Sequence, residues 1–187
     1  NVYAPIGAMK VMGASTSAAG ALQMPRTIIT IFLPTMAGVW VGKKASNAWK
    51  AMVVGTLFVA VPMAVMGFTT PSTSIIIYFV ALTITGIAES CRSVAITPSA
   101  QATLQPADMG VGTSLVNFVN SLANTIAATV FGVAYNLSTA ADPTNVANIQ
   151  NGVNSVFRLA AIVAVIGLVL VIFVVRPKMR KNHKIES

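Results

Sequence analysis

Residues 156–175 read VFRLAAIVAVIGLVLVIFVV, twenty positions carrying one charge, Arg158, near the start. A helix crosses the hydrocarbon of a bilayer in about 20 mostly apolar residues, so this run predicts a transmembrane helix, stopped by Arg176 and Pro177. Four further segments have the same character. They run from Ala18 to Val41, from Ala51 to Phe68, from about Ser74 through Ala88 to a break at Thr97-Pro98, and from Val111 to Tyr135. Before them, Val2 to Val11 is a short apolar piece ending at Gly13, which reads as the outer end of a sixth, truncated span.

The remainder of the chain agrees with this reading. Its 187 residues are 55% hydrophobic and 9% charged, with mean hydropathy +0.77, against about a quarter charged in an ordinary soluble domain. The expected organisation is a truncated span and outer loop over 1–13, a five-span bundle over 14–176 and a basic tail over 177–187. The formal charge of +8 does not point to nucleic acid, because the basic residues flank apolar runs instead of lining one aromatic-studded face. Lys43, Lys44 and Lys50 lie between the first two spans, and Arg176, Lys178, Arg180, Lys181 and Lys184 follow the last. The loops at 69–73 and 136–154 contain no Lys or Arg and one acid, Asp142. This asymmetry places the lysine loop and the C-terminus in the cytoplasm, in a multi-pass protein of the cell membrane.

Ionisable and polar side chains inside a span are costly in hydrocarbon and usually face a bundle interior or a water-filled path. Gln23, Arg26, Thr27, Thr30 and Pro34 share one face of the first span. Thr85, Glu89, Arg92, Ser93 and Thr97 share one face of the third, and Asn117, Asn120, Ser121, Asn124 and Thr125 one face of the fourth. The expectation is that three polar faces converge on one cavity. Arg26, about 15 Å into its helix, is the strongest candidate for a role in a substrate or ion pathway, joined by Gln23, Glu89, Arg92, Asn117, Asn120 and Asn124. Glu89 and Arg92, three residues apart, are placed to pair, either as a static clamp on the cytoplasmic gate or with Glu89 as a protonatable coupling site. Arg158, at the start of its span, reads as an interfacial anchor.

Catalysis is not expected. Four acids, one of them intramembrane, supply no carboxylate pair, and a single histidine (His183) and a single cysteine (Cys91) supply neither a metal cluster nor an internal disulfide. Ala37 to Lys43 lacks the first glycine and the following hydroxyl residue of a phosphate loop. No cofactor is implied.

The order of motifs resembles the C-terminal half of a major facilitator superfamily transporter, and within it the fourteen-span drug:proton antiporter branch. Gly13-Ala14-Ser15, Ala19-Gly20 and Met24-Pro25 are similar to that family's loop and following helix. Gly38, Gly42, Lys43 and Lys44 are similar to its cytoplasmic loop motif, with Gly42 where the family has an acid. Pro106, Gly110, Ser114 and Asn117-Phe118-Val119 resemble the approach to its penultimate span, with Asn120 in place of the usual basic residue. The resemblance implies an all-α, polytopic transmembrane helix bundle, with five full spans and a truncated one in this chain. It further implies a partner N-terminal half completing the pathway, a small amphipathic or drug-like substrate, and proton-coupled efflux by alternating access. The alternative is a non-transporting membrane subunit whose polar stripes hold helices together.

Overall fold

A computed structural model describes residues 2–44, 46–101 and 104–177. Lys178, Arg180, Lys181, His183 and Lys184 of the basic tail lie outside the described residues. Among the described residues seven α-helices follow one another: α1 (Tyr3–Lys10), α2 (Thr16–Ala21), α3 (Met24–Gly42), α4 (Ser46–Met66), α5 (Ile75–Gln101), α6 (Met109–Thr139) and α7 (Val146–Leu170), the last continued by a π turn over Val171–Val175. No strand occurs among them. Five described segments are long and apolar enough to cross a membrane: Thr16–Gly42, Asn47–Met66, Ile75–Ser99, Pro106–Thr139 and Val146–Val175. The chain is an all-α polytopic bundle, the form in which a backbone satisfies its own polar groups inside hydrocarbon.

The outward faces are what lipid requires. On α4, Val54, Leu57, Phe58, Val61 and Val65 are exposed, a stripe at i, i+3, i+4, i+7 and i+11. Ile162, Ile166, Val169 and Phe173 form the matching stripe on α7. Inward, Ala4, Leu22, Met63, Met66, Tyr78, Leu82, Val153 and Phe157 make one core, at the end where α4 finishes and α5 begins. Ala51, Met52 and Ala95 make a second, at the end where α4 begins and α5 finishes. α5 lies between α3 and α4, while α6 rests chiefly on α7.

Three boundaries depart from expectation. Pro98 does not end its helix: α5 continues to Gln101, since a proline in the last turn removes one backbone bond at a wet helix end. The final span begins ten residues before Val156, at Val146, where the Asn145 side chain accepts the Ala147 N–H at 2.8 Å as an N-cap. The first span is interrupted at Leu22–Gln23, and Pro25 in the first turn of α3 marks the restart. Gly13, at φ +70°, makes the left-handed turn out of α1 that glycine adopts without steric cost.

The extra helix of α7 also corrects the reading of Arg158. It sits in the middle of α7 and donates from Nε to the Gly67 carbonyl at 2.7 Å, with its guanidinium 4.9 Å from the centroid of the Phe68 ring. A cation there answers the negative C-terminal end of α4. Arg158 therefore ties α7 to the end of α4.

Nearby, the polar residues that hid the start of α7 are buried in a shared network. The Gln150 and Asn154 side-chain amides donate to the Thr69 carbonyl at 2.9 and 2.8 Å. The Thr69 hydroxyl lies 3.1 Å from Tyr78 Oη and 3.0 Å from Asn154 Oδ1. This network fixes the C-terminal end of α4 and the N-terminal parts of α5 and α7 to one another.

Candidate functional site

Hydroxyl groups inside the bundle account for much of its polarity without any ligand. Thr27 donates to the Gln23 carbonyl at 3.0 Å, Thr30 to Thr27 at 2.9 Å, Thr85 to Leu82 at 2.7 Å and Ser90 to Gly86 at 2.9 Å. Such bonds to the preceding turn satisfy the side chain within its own helix. What they leave over is the charged set, Arg26, Glu89 and Arg92.

These three are brought together by glycine. At Gly86 an added Cβ would sit 3.0 Å from Arg26 Cα and 3.1 Å from the Arg26 carbonyl oxygen, so α3 lies against α5 backbone to backbone. That approach puts Arg26 within reach of Glu89, one turn further along α5, and the Arg26 guanidinium donates to the Glu89 carboxylate as an ion pair. On the other side of α5, an added Cβ at Gly55 would sit 2.6 Å from Arg92 Cγ and 2.9 Å from the Ala88 carbonyl oxygen. The Arg92 stem thus lies over α4 at its own close approach to α5.

Arg26, Glu89 and Arg92 line a half-open cavity of about 280 Å³. Thr85 completes its polar side. Val59 and Met63 of α4, Phe131 of α6, and Val156, Phe157 and Ala160 of α7 form an apolar wall, with Tyr3 of α1 at one edge. Every long helix contributes to it. The Arg26 side chain is 27% exposed and that of Glu89 54%, so the pair opens into the cavity and is not sealed in the core.

The expected Glu89–Arg92 clamp is not what forms: Glu89 pairs with Arg26. The reason is geometric, since contact at Gly86 carries Arg26 to the carboxylate while the Arg92 stem is committed to Gly55. Convergence of three polar faces is likewise reduced to two. Asn117, Asn120 and Asn124 are exposed on α6 and are not among the residues lining the cavity; α6 reaches it through Phe131. Gln23 stands at the break between α2 and α3, outside the lining.

In the cytoplasmic loop motif, a Cβ added at Gly38 would lie 3.9 Å from the Val94 side chain, and one at Gly42 would meet open space. Lys43 is the exposed C-cap of α3. The Asn47 side chain donates to the Trp40 carbonyl at 2.7 Å and holds this turn. Sequence reasoning missed Gly86, Gly55 and the apolar wall. The available signal for the pairing was that Arg26 and Glu89 are opposite charges within two separate apolar spans.

The family model described as Major Facilitator Superfamily matches residues 1–187. No curated protein and no solved structure matches the chain.

Proposed function

Because the chain belongs to the major facilitator superfamily, we propose that it forms the substrate-binding wall of a secondary transporter that exports a small amphipathic or drug-like compound in exchange for protons. The observation that carries this reading is the Arg26–Glu89 pair opening into an apolar-walled cavity. Ionisable side chains within membrane spans are costly where they meet lipid and are retained mostly where they line a substrate or ion path. A transporter needs charged groups of this kind where substrate and coupling ion meet.

In this reading residues 14–176 are the five-span wall, residues 1–13 the end of a further span, and the partner N-terminal half closes the pathway from the opposite side. The lysine loop and the basic tail from 177 to 187 face the cytoplasm from the cell membrane, and the protein is of the drug:proton antiporter branch. Access alternates as the two halves rock about the cavity. Gln23, Asn117, Asn120 and Asn124 serve the pathway outside the cavity proper, and Gly38, Gly42 and Lys43 the cytoplasmic hinge.

The test is efflux by the full-length protein in everted vesicles under an imposed pH gradient. Arg26→Gln and Glu89→Gln are expected to abolish pH-driven accumulation, and exchanging the two residues to restore part of it. Wild-type accumulation by both single variants overturns the assignment.

A further inference from the structure

We infer that the compound held in this cavity is an organic monoanion, a carboxylate or sulfonate on an apolar body; the inference rests on the transporter reading above and assigns its substrate class. The charges lining the cavity are two guanidiniums, Arg26 and Arg92, and one carboxylate, Glu89, leaving a net charge of +1 (two minus one). The other acids of the described residues are not among the cavity lining: Asp108 ends the short turn that leads into α6, and Asp142 sits in the loop before α7.

Arg92 enters no ion pair among the described residues, although it lies well within α5. A cation in that position is stabilised by a carboxylate-like partner, which the planar guanidinium fork grips with two parallel bonds. Its stem is held over Gly55 and the residue is exposed where it lines the cavity, so an anionic group entering the cavity can reach it. Thr85 does not compete for it, because its hydroxyl is committed to the Leu82 carbonyl at 2.7 Å.

The three classes of occupant differ in what they do to this balance. A cation meets a net positive field and a carboxylate already paired. A neutral molecule leaves Arg92 uncompensated. A monoanion brings the cavity to neutrality, either directly at Arg92 or by taking Arg26 while Glu89 swings to Arg92, its neighbour three residues on along α5. Beyond the charged group, Val59, Met63, Phe131 and Phe157 accept a hydrocarbon or aromatic body.

The experiment uses three probes with one apolar body: 4-phenylbutyrate, 4-phenylbutylamine and 4-phenylbutanol. Their binding to the full-length protein in nanodiscs of uncharged lipid is measured by equilibrium dialysis, and their accumulation in proteoliposomes is measured under a pH gradient of either sign. The anion is expected to bind about ten-fold or more tightly than the amine or the alcohol, the scale of one charge-assisted hydrogen-bond pair. Arg92→Gln is expected to erase that preference and Arg92→Lys to keep most of it. Equal binding of all three, preference for the amine, no binding of any, or an Arg92→Gln protein that still prefers the anion overturns the inference. Anion binding without accumulation upholds the charge assignment and sinks the transporter reading. Accumulation of the amine or the alcohol does the reverse.

Discussion

Replacing Thr69 by valine tests whether the junction of α4, α5 and α7 is held by the buried polar network or by packing alone. Valine has nearly the shape of threonine, so no cavity opens and the change isolates the hydroxyl. That hydroxyl lies 3.1 Å from Tyr78 Oη, in a side chain with no exposed surface, and Thr69 is its hydrogen-bond partner among the described residues. Gln150 and Asn154 keep the Thr69 carbonyl and each other at 2.9, 2.8 and 2.7 Å. The substitution therefore orphans one buried donor, at a cost of about 1–3 kcal/mol. Tyr78→Phe alone leaves Thr69 bonded to Asn154 and the Met66 carbonyl and costs about 0.5–1.5 kcal/mol. The double variant has no orphan, so it is expected to be no less stable than Thr69→Val. The cycle is read by SDS-induced unfolding of the micelle-solubilised protein, followed by circular dichroism. A double variant whose loss equals the sum of the two single losses refutes the reasoning, because additivity means the hydroxyls do not depend on each other.

Gly86→Ala drives a methyl group against the Arg26 backbone, which cannot rotate away. Its overpacking cost of about 1–3 kcal/mol is expected to exceed the gain of about 1 kcal/mol from helix propensity, so both stability and transport fall. Gly38→Ala, with its nearest neighbour at 3.9 Å, is the control and is expected to keep both; a Gly86→Ala protein as stable as that control contradicts the close approach. In the loop before α7, the Thr144 hydroxyl at 2.7 Å and its N–H at 2.8 Å hold the Asp142 carboxyl below the ordinary carboxylate range. A group depressed on folding lends stability above its unfolded pKa and loses it as pH falls through the folded value. Thr144→Val removes the hydroxyl and keeps the N–H, so it is expected to raise the Asp142 titration measured by carboxyl-carbon NMR part of the way, and an unchanged midpoint rules the hydroxyl out as a cause.

The spans were legible because hydrocarbon imposes a length and a polarity that twenty consecutive residues display by themselves. Their ends were less so wherever polar residues were buried by a neighbour instead of wetted. Asn145, Asn148, Gln150, Asn151 and Asn154 read as a loop, yet Gln150 and Asn154 are 5% exposed and helical, since their partners are Thr69 and each other. The site was half legible. Arg26 and Glu89 stood out as charges in apolar runs, but periodicity describes one helix at a time and so favoured Arg92 as the partner of Glu89. The partner was chosen by Gly86, whose missing side chain lets a second helix in. For the same reason the Asn stripe of α6 promised a cavity wall: its spacing is real, and spacing alone does not say which neighbour a face meets.

The two tightest helix approaches, Gly86 against Arg26 and Gly55 against the Ala88 carbonyl, lie on opposite sides of α5 and within one turn of Glu89. The carboxylate is therefore positioned by backbone packing on both flanks, not by the rotamers of long side chains, and the cation beside it is carried on a helix that starts afresh at Met24 just before Arg26. Backbone-to-backbone contacts tolerate little sliding. Any movement that opens or closes the cavity thus leaves α3, α4 and α5 together as one slab, to which the apolar wall is added by α7, packed on the end of α4 at Gly67 against the Arg158 backbone, and by α6, packed on α7 at Gly152 against Tyr135. It follows that the charged pair stays intact when the wall is loosened. Phe131→Ala is accordingly expected to weaken the hold on an apolar body while leaving the charge preference of the site unchanged, which dialysis of the three phenyl probes against that variant measures directly; a lost anion preference with unchanged affinity for the alcohol contradicts the division of the cavity into a charged side on α3 and α5 and an apolar one on α4, α6 and α7.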